Sequence, residues 1–152
     1  MRLAYRIVKA RNARAAFSGE GARRAGGRWN LPGDRVVYAS SSLALAAMET
    51  FVHLGEDGLH IKFVSFSVEI PATVTVRRCP HPPRGWRAEP PREESMRYGS
   101  AWLRSGRNAV LQVPSAVVPS EWNFLLNPDH PDFRKLRVSR PQPFSFDPRM
   151  WK

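Results

Sequence analysis

Cysteine is almost absent from this chain of 152 residues, and long apolar runs are missing altogether. The only cysteine, Cys79, excludes an internal disulfide and a multi-cysteine metal site. No stretch approaches the roughly 20 apolar residues of a membrane span, and the first residues lack the apolar run of a signal peptide. These absences predict a soluble cytoplasmic protein without a membrane partner, folded as a single domain over residues 1–152.

Lysine is scarce as well, although the chain is strongly basic. Only four of the 24 basic residues are lysines, which leaves 20 arginines against 13 acidic residues and a net charge of +11. Such a surface attracts nucleic acid, phosphates or an acidic protein, and the arginine fork suits phosphates and carboxylates. A codon bias towards arginine would give the same composition, and the two explanations are compatible.

The familiar motifs of nucleotide, metal and acyl-transfer chemistry are also missing. No G-x-G-x-x-G follows a strand and no Walker A motif is present, so a Rossmann or P-loop site is not expected. The four histidines are spread through the chain without an H-E-x-x-H pattern, and no metal site is predicted. Ser115 lacks a G-x-S-x-G elbow and is not interpreted as a nucleophile.

The pattern of apolar residues predicts a mixed α+β domain that is built largely of strands. Strands are predicted at residues 3–8, 35–39, 61–70, 73–76, 109–113, 122–126 and 133–138. The strongest helix covers residues 43–54, after serines that suit an N-cap, and a second helix is predicted over residues 93–104. Residues 79–91 are dense in proline and are expected to form an irregular loop.

The most informative segment is Gly26-Gly27-Arg28-Trp29-Asn30, which is followed by Tyr38. A glycine pair lets a ligand approach the backbone closely, and the fork of Arg28 is able to hold a pyrophosphate at two points. Tyr38 offers a ring that stacks on nicotinamide or adenine. The alternatives are an ordinary surface arginine and an ordinary core tyrosine.

Glu49 is the most unusual residue of the predicted helix. Its spacing places it on one face with Leu45 and Val52, so we expect it to be at least partly buried. It either pairs with an arginine or stabilises the positive charge that a sugar acquires when its N-glycosidic bond breaks. Ser115, at the end of a predicted strand, is either a turn residue or a hydrogen-bond partner of a ribose or amide group.

The order of these short motifs resembles the RES-domain toxins of bacterial toxin–antitoxin pairs. The motifs are Tyr5-Arg6, Gly26-Gly27-Arg28-Trp29-Asn30, Val37-Tyr38-Ala39-Ser40 with Leu45-Ala46 and Glu49, Val113-Pro114-Ser115 with Val117-Val118-Pro119, Glu121 with Asn123, and Leu126-Asn127-Pro128 with His130-Pro131. The family is named for an Arg, a Glu and a Ser, which match Arg28, Glu49 and Ser115 here. The resemblance extends from about residue 3 to residue 138.

This resemblance implies an ADP-ribosyltransferase-like α+β fold of mainly antiparallel strands with a few helices. It further implies an enzyme that depletes NAD⁺ by hydrolysis or phosphorolysis at the nicotinamide–ribose bond, and some members attach ADP-ribose to a protein instead. NAD⁺ is then the substrate, and no resident cofactor is expected. In these terms Arg28 clamps the phosphates, Tyr38 stacks on the nicotinamide end and Glu49 positions the ribose. Ser115, Arg6 and Asn123 are expected to bind substrate.

The resemblance also implies partners. Family members are held inactive in the bacterial cytoplasm by an Xre-type helix-turn-helix antitoxin that covers the active-site entrance. Operator DNA is bound only through the toxin–antitoxin complex. The sequence leaves the oligomeric state open, a homodimer included. From a different class, the alternative is a basic module without enzymatic activity that binds nucleic acid through arginines and interleaved aromatic residues.

Overall fold

An eight-stranded sheet forms the centre of the computed structural model, which describes all residues from Met1 to Lys152. The strands are β1 (Arg2–Lys9), β2 (Val37–Ser40), β3 (Phe63–Ile70), β4 (Val76–Arg78), β5 (Val110–Pro114), β6 (Trp122–Leu126), β7 (Arg137–Val138) and β8 (Gln142–Phe144). Their order is β4-β5-β6-β2-β1-β3-β7, and β8 also pairs with β3. Only β4 and β5 are parallel, so the predicted α+β fold of mainly antiparallel strands is confirmed.

Three α-helices and four short 3₁₀ helices accompany the sheet, and the last 3₁₀ helix follows the final strand. The α-helices are α1 (Glu20–Ala25), α2 (Leu43–Phe51) and α3 (Glu93–Ser105). The 3₁₀ helices cover Ala10–Ala15, Glu56–His60, Pro131–Lys135 and Pro148–Trp151. None of the helices has both the length and the apolar character that crossing a membrane requires.

The sheet is weakest between β1 and β2, at the point where its two halves meet. β1 pairs with β3 over its whole length, from Arg2 opposite Ile70 to Lys9 opposite Phe63. By contrast, β1 and β2 are paired only where Tyr5 faces Ser40. Because the two strands share a single register pair, they part from each other beyond it and leave room for a cavity between the halves.

Helix α2 is fixed at both ends and on its inner face. Its N-cap, Ser42, accepts a hydrogen bond from the Leu45 backbone N–H at 3.0 Å, as Ser does at this position in many helices. Leu45 and Ala46 are buried. At the other end, the ring of Phe51 lies 5.1 Å from the ring of Trp151. The indole N–H of Trp151 donates to the Gly55 carbonyl at 3.0 Å, so the C-terminal segment supports the end of the helix.

Aromatic residues near the C-terminus complete this support. Phe146 is buried and makes edge contacts with Phe63, Phe144 and Trp151, at ring distances of 5.3, 5.0 and 5.8 Å. Offset and edge contacts of this kind are the favourable geometries of aromatic pairs. The tail therefore packs between β3 and α2 and forms part of the core.

Three details of the predicted secondary structure are wrong. Residues 73–75 form no strand, because the Val74 N–H turns back to the Pro71 carbonyl, and β4 starts only at Val76. In the segment 133–138, a 3₁₀ helix that begins at Pro131 runs to Lys135, so that only the two residues of β7 form a strand. Helix α2 ends at Phe51, so Val52 is 52% exposed instead of sharing a buried face with Glu49.

Gly99 shows how closely α3 packs on the loop that contains Arg28. A methyl group at Gly99 would overlap with the Trp29 carbonyl, whereas one at Gly21 in α1 would meet nothing within 4 Å. We expect Gly99→Ala to lower the free energy of unfolding by about 1–3 kcal/mol through overpacking. Gly21→Ala, the matched control, should raise it by about 0.5–1 kcal/mol because alanine is the better helix former. Urea unfolding measures both, and an unchanged Gly99→Ala midpoint would contradict the packing described.

Candidate active site

A cavity of about 1200 Å³ opens where β1 and β2 part. β1 contributes residues 5–9 to its wall, β2 contributes residues 38–40, and α2 contributes Ala46, Glu49 and Thr50. Loops that contain Arg28, Glu89 and Val117 complete the wall. Sites for small ligands usually measure about 300–1,000 Å³, so this cavity has room for a dinucleotide.

Glu49 reaches the wall of this cavity from α2 and is held by one of its two oxygens. Its Oε2 accepts a hydrogen bond from the Ser115 hydroxyl at 2.7 Å and a second from the Asn123 side-chain amide. Both bonds use the same oxygen, so Oε1 is the atom left for a ligand. The sequence prediction that Glu49 is partly buried is confirmed.

Ser115 lies behind Glu49 and has no solvent-exposed surface. Its Oγ accepts hydrogen bonds from the backbone N–H groups of Val117 and Val118 at 3.1 and 3.0 Å. With its lone pairs occupied, the hydroxyl has its proton available for Glu49. Ser115 therefore contacts the carboxylate and is not among the residues that line the cavity.

Asn123 is oriented by Ser40, a residue to which the sequence analysis assigned no role. The two residues face each other in the register of β2 and β6. The Ser40 hydroxyl donates to Asn123 Oδ1 at 2.7 Å, which directs the amide nitrogen of Asn123 towards Glu49. A Ser at the end of a short strand is ordinary in sequence, and only the β2–β6 register shows what it faces.

Tyr38 lines the cavity, and its hydroxyl makes hydrogen bonds inside the protein. The hydroxyl donates to Asn30 Oδ1 at 2.6 Å and accepts from the Trp29 backbone N–H at 3.1 Å. Burial raises the pKa of Tyr38 well above its usual value of 10, so the hydroxyl stays protonated at neutral pH. A side chain added at Gly27 would lie 2.8 Å from this hydroxyl, which explains the glycine there.

Arg28 lines the cavity but is already bound to the proline-rich loop. Its Nη1 donates to the carbonyls of Trp86 and Ala88 at 2.9 and 2.7 Å. Its Nη2 donates to Glu89 Oε2 at 3.0 Å. The predicted irregular loop of residues 79–91 is thus confirmed as one that contains no helix or strand and is anchored by Arg28.

Arg6 bridges the gap between β1 and β2. Its Nε donates to the Ala16 carbonyl at 2.7 Å and its Nη1 to the Tyr38 carbonyl at 2.8 Å. Burial lowers the pKa of Arg6 to about 10, and the guanidinium remains charged at neutral pH. Arg6 therefore brings a fixed positive charge to the cavity wall.

Basic residues outnumber acidic residues at the wall of the cavity. Four basic residues line it, namely Arg6, Lys9, Arg28 and Arg87. Only two acidic residues do so, Glu49 and Glu89. Arg87 also ties the proline-rich loop to the segment after Ser115, because its Nε donates to the Ala116 carbonyl at 2.8 Å. The excess of positive charge suits an anionic ligand.

Of the six residues singled out from sequence, the structure brings five to the cavity wall. These are Arg6, Arg28, Tyr38, Glu49 and Asn123, while Ser115 supports Glu49 from behind. Sequence reasoning missed Ser40, Arg87 and Glu89, all of which line the cavity. Cys79 lies apart from the cavity, and burial raises the pKa of its thiol.

Comparison with known proteins agrees with this architecture. The toxin–antitoxin complex MbcT–MbcA of M. tuberculosis contains a chain that superimposes with a TM-score of 0.74 at 17% sequence identity. The match covers 99% of the present chain and 86% of that one. At this identity the likeness shows a shared fold.

Two other proteins have a higher sequence identity to this chain than the MbcT–MbcA chain has. "Prs ADP-ribosylating toxin" of Sphingobium sp. (strain YBL2) is 44% identical over 138 residues, covering 88% of this chain and 86% of the relative. "Toxin Res" of Yersinia enterocolitica serotype O:8 / biotype 1B is 39% identical over 148 residues, with 96% and 97% covered. Residues 3–147 match the family model of the RES domain. With that match and these relatives, the chain belongs to the RES domain family of toxins.

Proposed function

We propose that this toxin consumes NAD⁺ by cleaving the bond between nicotinamide and ribose. One observation carries the proposal: a carboxylate, Glu49, is fixed through Oε2 at the wall of a basic cavity with its other oxygen left for a ligand. The cationic walls suit the diphosphate of NAD⁺, and the carboxylate suits the charge that develops on the ribose.

The proposed reaction moves positive charge from the nicotinamide ring to the ribose. The bond between the ribose anomeric carbon and the nicotinamide nitrogen breaks, and both electrons go to the nitrogen, which loses its positive charge. The ribose becomes an oxocarbenium-like cation that Glu49 stabilises. An acceptor oxygen then bonds to the anomeric carbon; when the acceptor is water, it gives up a proton and the products are ADP-ribose and nicotinamide.

Different residues of the cavity are suited to different parts of NAD⁺. Arg28 and Arg6 face the same cavity as Glu49, so they are suited to hold the diphosphate while the ribose lies against the carboxylate. The ring of Tyr38, immobilised through its hydroxyl, offers a flat surface to the nicotinamide end. Ser115 and Asn123 act through Glu49, because their hydrogen bonds hold its carboxylate in place.

An antitoxin with an Xre-type helix-turn-helix domain is the partner that we propose. The relative solved as MbcT–MbcA is itself a toxin–antitoxin complex. In the present chain α2 exposes Leu43 and Met48, and Val52, just after the helix, is exposed as well. Val52 also lies at the cavity wall. An apolar surface at this place fits a partner that closes the entrance. Operator DNA would be bound through that complex.

The nucleic-acid-binding alternative has less support. Four of the five tryptophans pack within the protein, namely Trp29, Trp86, Trp102 and Trp151. They are therefore not arranged as an exposed platform on which bases stack. The basic residues at the cavity are better explained by a diphosphate ligand.

Glu49→Gln tests the proposal directly. Glutamine keeps the shape and can accept the hydrogen bonds of Ser115 and Asn123, but it removes the charge. A unit charge about 4 Å from another is worth about 4 kcal/mol at an effective dielectric of 20, so we expect nicotinamide release to slow on the order of 10²- to 10³-fold. Chromatography of nicotinamide measures the rate.

Glu56→Gln is the matched control, because Glu56 is exposed and lies outside the cavity. It should keep the wild-type rate. In cells, NAD⁺ should collapse within minutes of inducing wild type without antitoxin, and co-expression of an Xre-type antitoxin should prevent the loss. Full activity of Glu49→Gln would remove this residue from the mechanism.

Ser40→Ala tests the orientation of Asn123. Without the Ser40 hydroxyl, the amide of Asn123 is free to turn away from Glu49. The loss of one such hydrogen bond is worth about 1 kcal/mol, and we expect kcat to fall about five-fold while KM for NAD⁺ changes less. Ser41→Ala, next to it but outside the network, should match wild type. Equal effects of the two variants would show that Ser40 has only a structural role.

Transfer of ADP-ribose to a protein is the second candidate. Its support is the name of the relative from Sphingobium, an ADP-ribosylating toxin that is 44% identical. In this case a protein side chain takes the place of water as the acceptor. Incubation of the wild type and of Glu49→Gln with labelled NAD⁺ in a cell extract distinguishes transfer to a protein from hydrolysis. Label on a protein band with wild type alone supports transfer, and label only in free ADP-ribose supports hydrolysis.

A further inference from the structure

Glu89 is the one cavity carboxylate to which the proposed reaction assigns no part. Glu49 and Glu89 are the only acidic residues at a wall that also holds four basic ones. Glu89 comes from the proline-rich loop, and its side chain is 70% exposed, whereas that of Arg28 is 18% exposed. A solvent-exposed acid is thus paired with a largely buried base that is held by other hydrogen bonds.

The guanidinium of Arg28 contacts loop carbonyls through one terminal nitrogen and Glu89 through the other. Nη1 is engaged by the carbonyls of Trp86 and Ala88, so both of its protons are used. Nη2 faces Glu89 Oε2 at 3.0 Å. The Nε–H and the second Nη2 proton make no hydrogen bond, so an anion that uses only these two lies beside the Glu89 carboxylate, and one that also takes the occupied Nη2 proton replaces it.

Either arrangement makes Glu89 oppose an anionic ligand. Replacement breaks an existing ion pair, and close approach places two negative charges together. The pair is exposed on the Glu89 side, where ion pairs contribute little and are easily exchanged. The carboxylate can move into solvent while Arg28 stays held by the loop carbonyls.

We propose that Glu89 occupies the anion position of Arg28 in the free protein, and that the diphosphate of the substrate displaces it. This inference rests on the proposed function for the identity of the diphosphate. Glu89 is then an affinity-setting residue: it raises the substrate concentration at which the toxin reaches half of its maximal rate.

Glu89→Gln tests this inference through binding and kinetics together. We expect KM for NAD⁺ and Kd for ADP-ribose each to fall about three-fold, the effect that an exposed ion pair typically has. The matched control is Glu93→Gln, which makes the same change of charge in an exposed pair with Arg97 outside the cavity. It should leave both constants as in wild type. An unchanged or raised KM in Glu89→Gln overturns the inference, because Glu89 would then only anchor the loop or bind substrate itself.

The ADP-ribose measurement separates this inference from the proposed function. ADP-ribose carries the diphosphate without nicotinamide, so calorimetry reports its binding whether or not the protein cleaves NAD⁺. In an Arg28→Ala background, Glu89→Gln should no longer change Kd for ADP-ribose, because the guanidinium for which Glu89 and the ligand compete is gone. A persisting change of about three-fold in that background overturns the inference. A wild-type protein that binds ADP-ribose but releases no nicotinamide would contradict the reaction and leave the role of Glu89 standing.

Discussion

The buried side chain of Asn30 is the contact on which the placement of the site depends. Its amide nitrogen donates to the carbonyls of Ala22, Leu31 and Asp34, and its oxygen accepts from the Tyr38 hydroxyl. These bonds join α1, the loop after it and β2 at one point. A buried amide that lost a partner would cost about 1–3 kcal/mol. The loop that carries Arg28 is thereby held against the strand that carries the ring of Tyr38.

The proposed reaction makes two opposite electrostatic demands on the cavity. A dinucleotide requires positive charge for its diphosphate, and its ribose requires negative charge when the nicotinamide leaves. The protein separates them in space by building the base-rich wall from loops and β1, and by bringing Glu49 from α2. Two hydrogen bonds, from Ser115 and Asn123, hold Oε2 of this carboxylate in place. Charge stabilisation of this kind depends on groups that are already in place before the reaction.

The sequence predicted much of this arrangement, because local chemistry determines much of it. Periodicity and the Ser42 cap were enough to find α2, and short motifs were enough to pick out Arg28, Tyr38 and Glu49. The role of Ser40 was out of reach, since it exists only through the register with Asn123, 83 positions away. The same holds for Glu89, which meets Arg28 across 61 positions. Prolines 71 and 131 overrode strand propensity nearby, where turn hydrogen bonds were the stronger local constraint.

The C-terminal aromatic cluster has a consequence for the order of events during synthesis. Phe146 and Trp151 support α2, but they emerge from the ribosome about a hundred residues after Glu49. Ser115 and Asn123, which hold the carboxylate, also come late. A nascent chain therefore contains Glu49 for most of translation without the residues that hold its carboxylate in place. The cell that makes this toxin gains an interval in which the growing polypeptide is harmless, and an antitoxin has time to meet it.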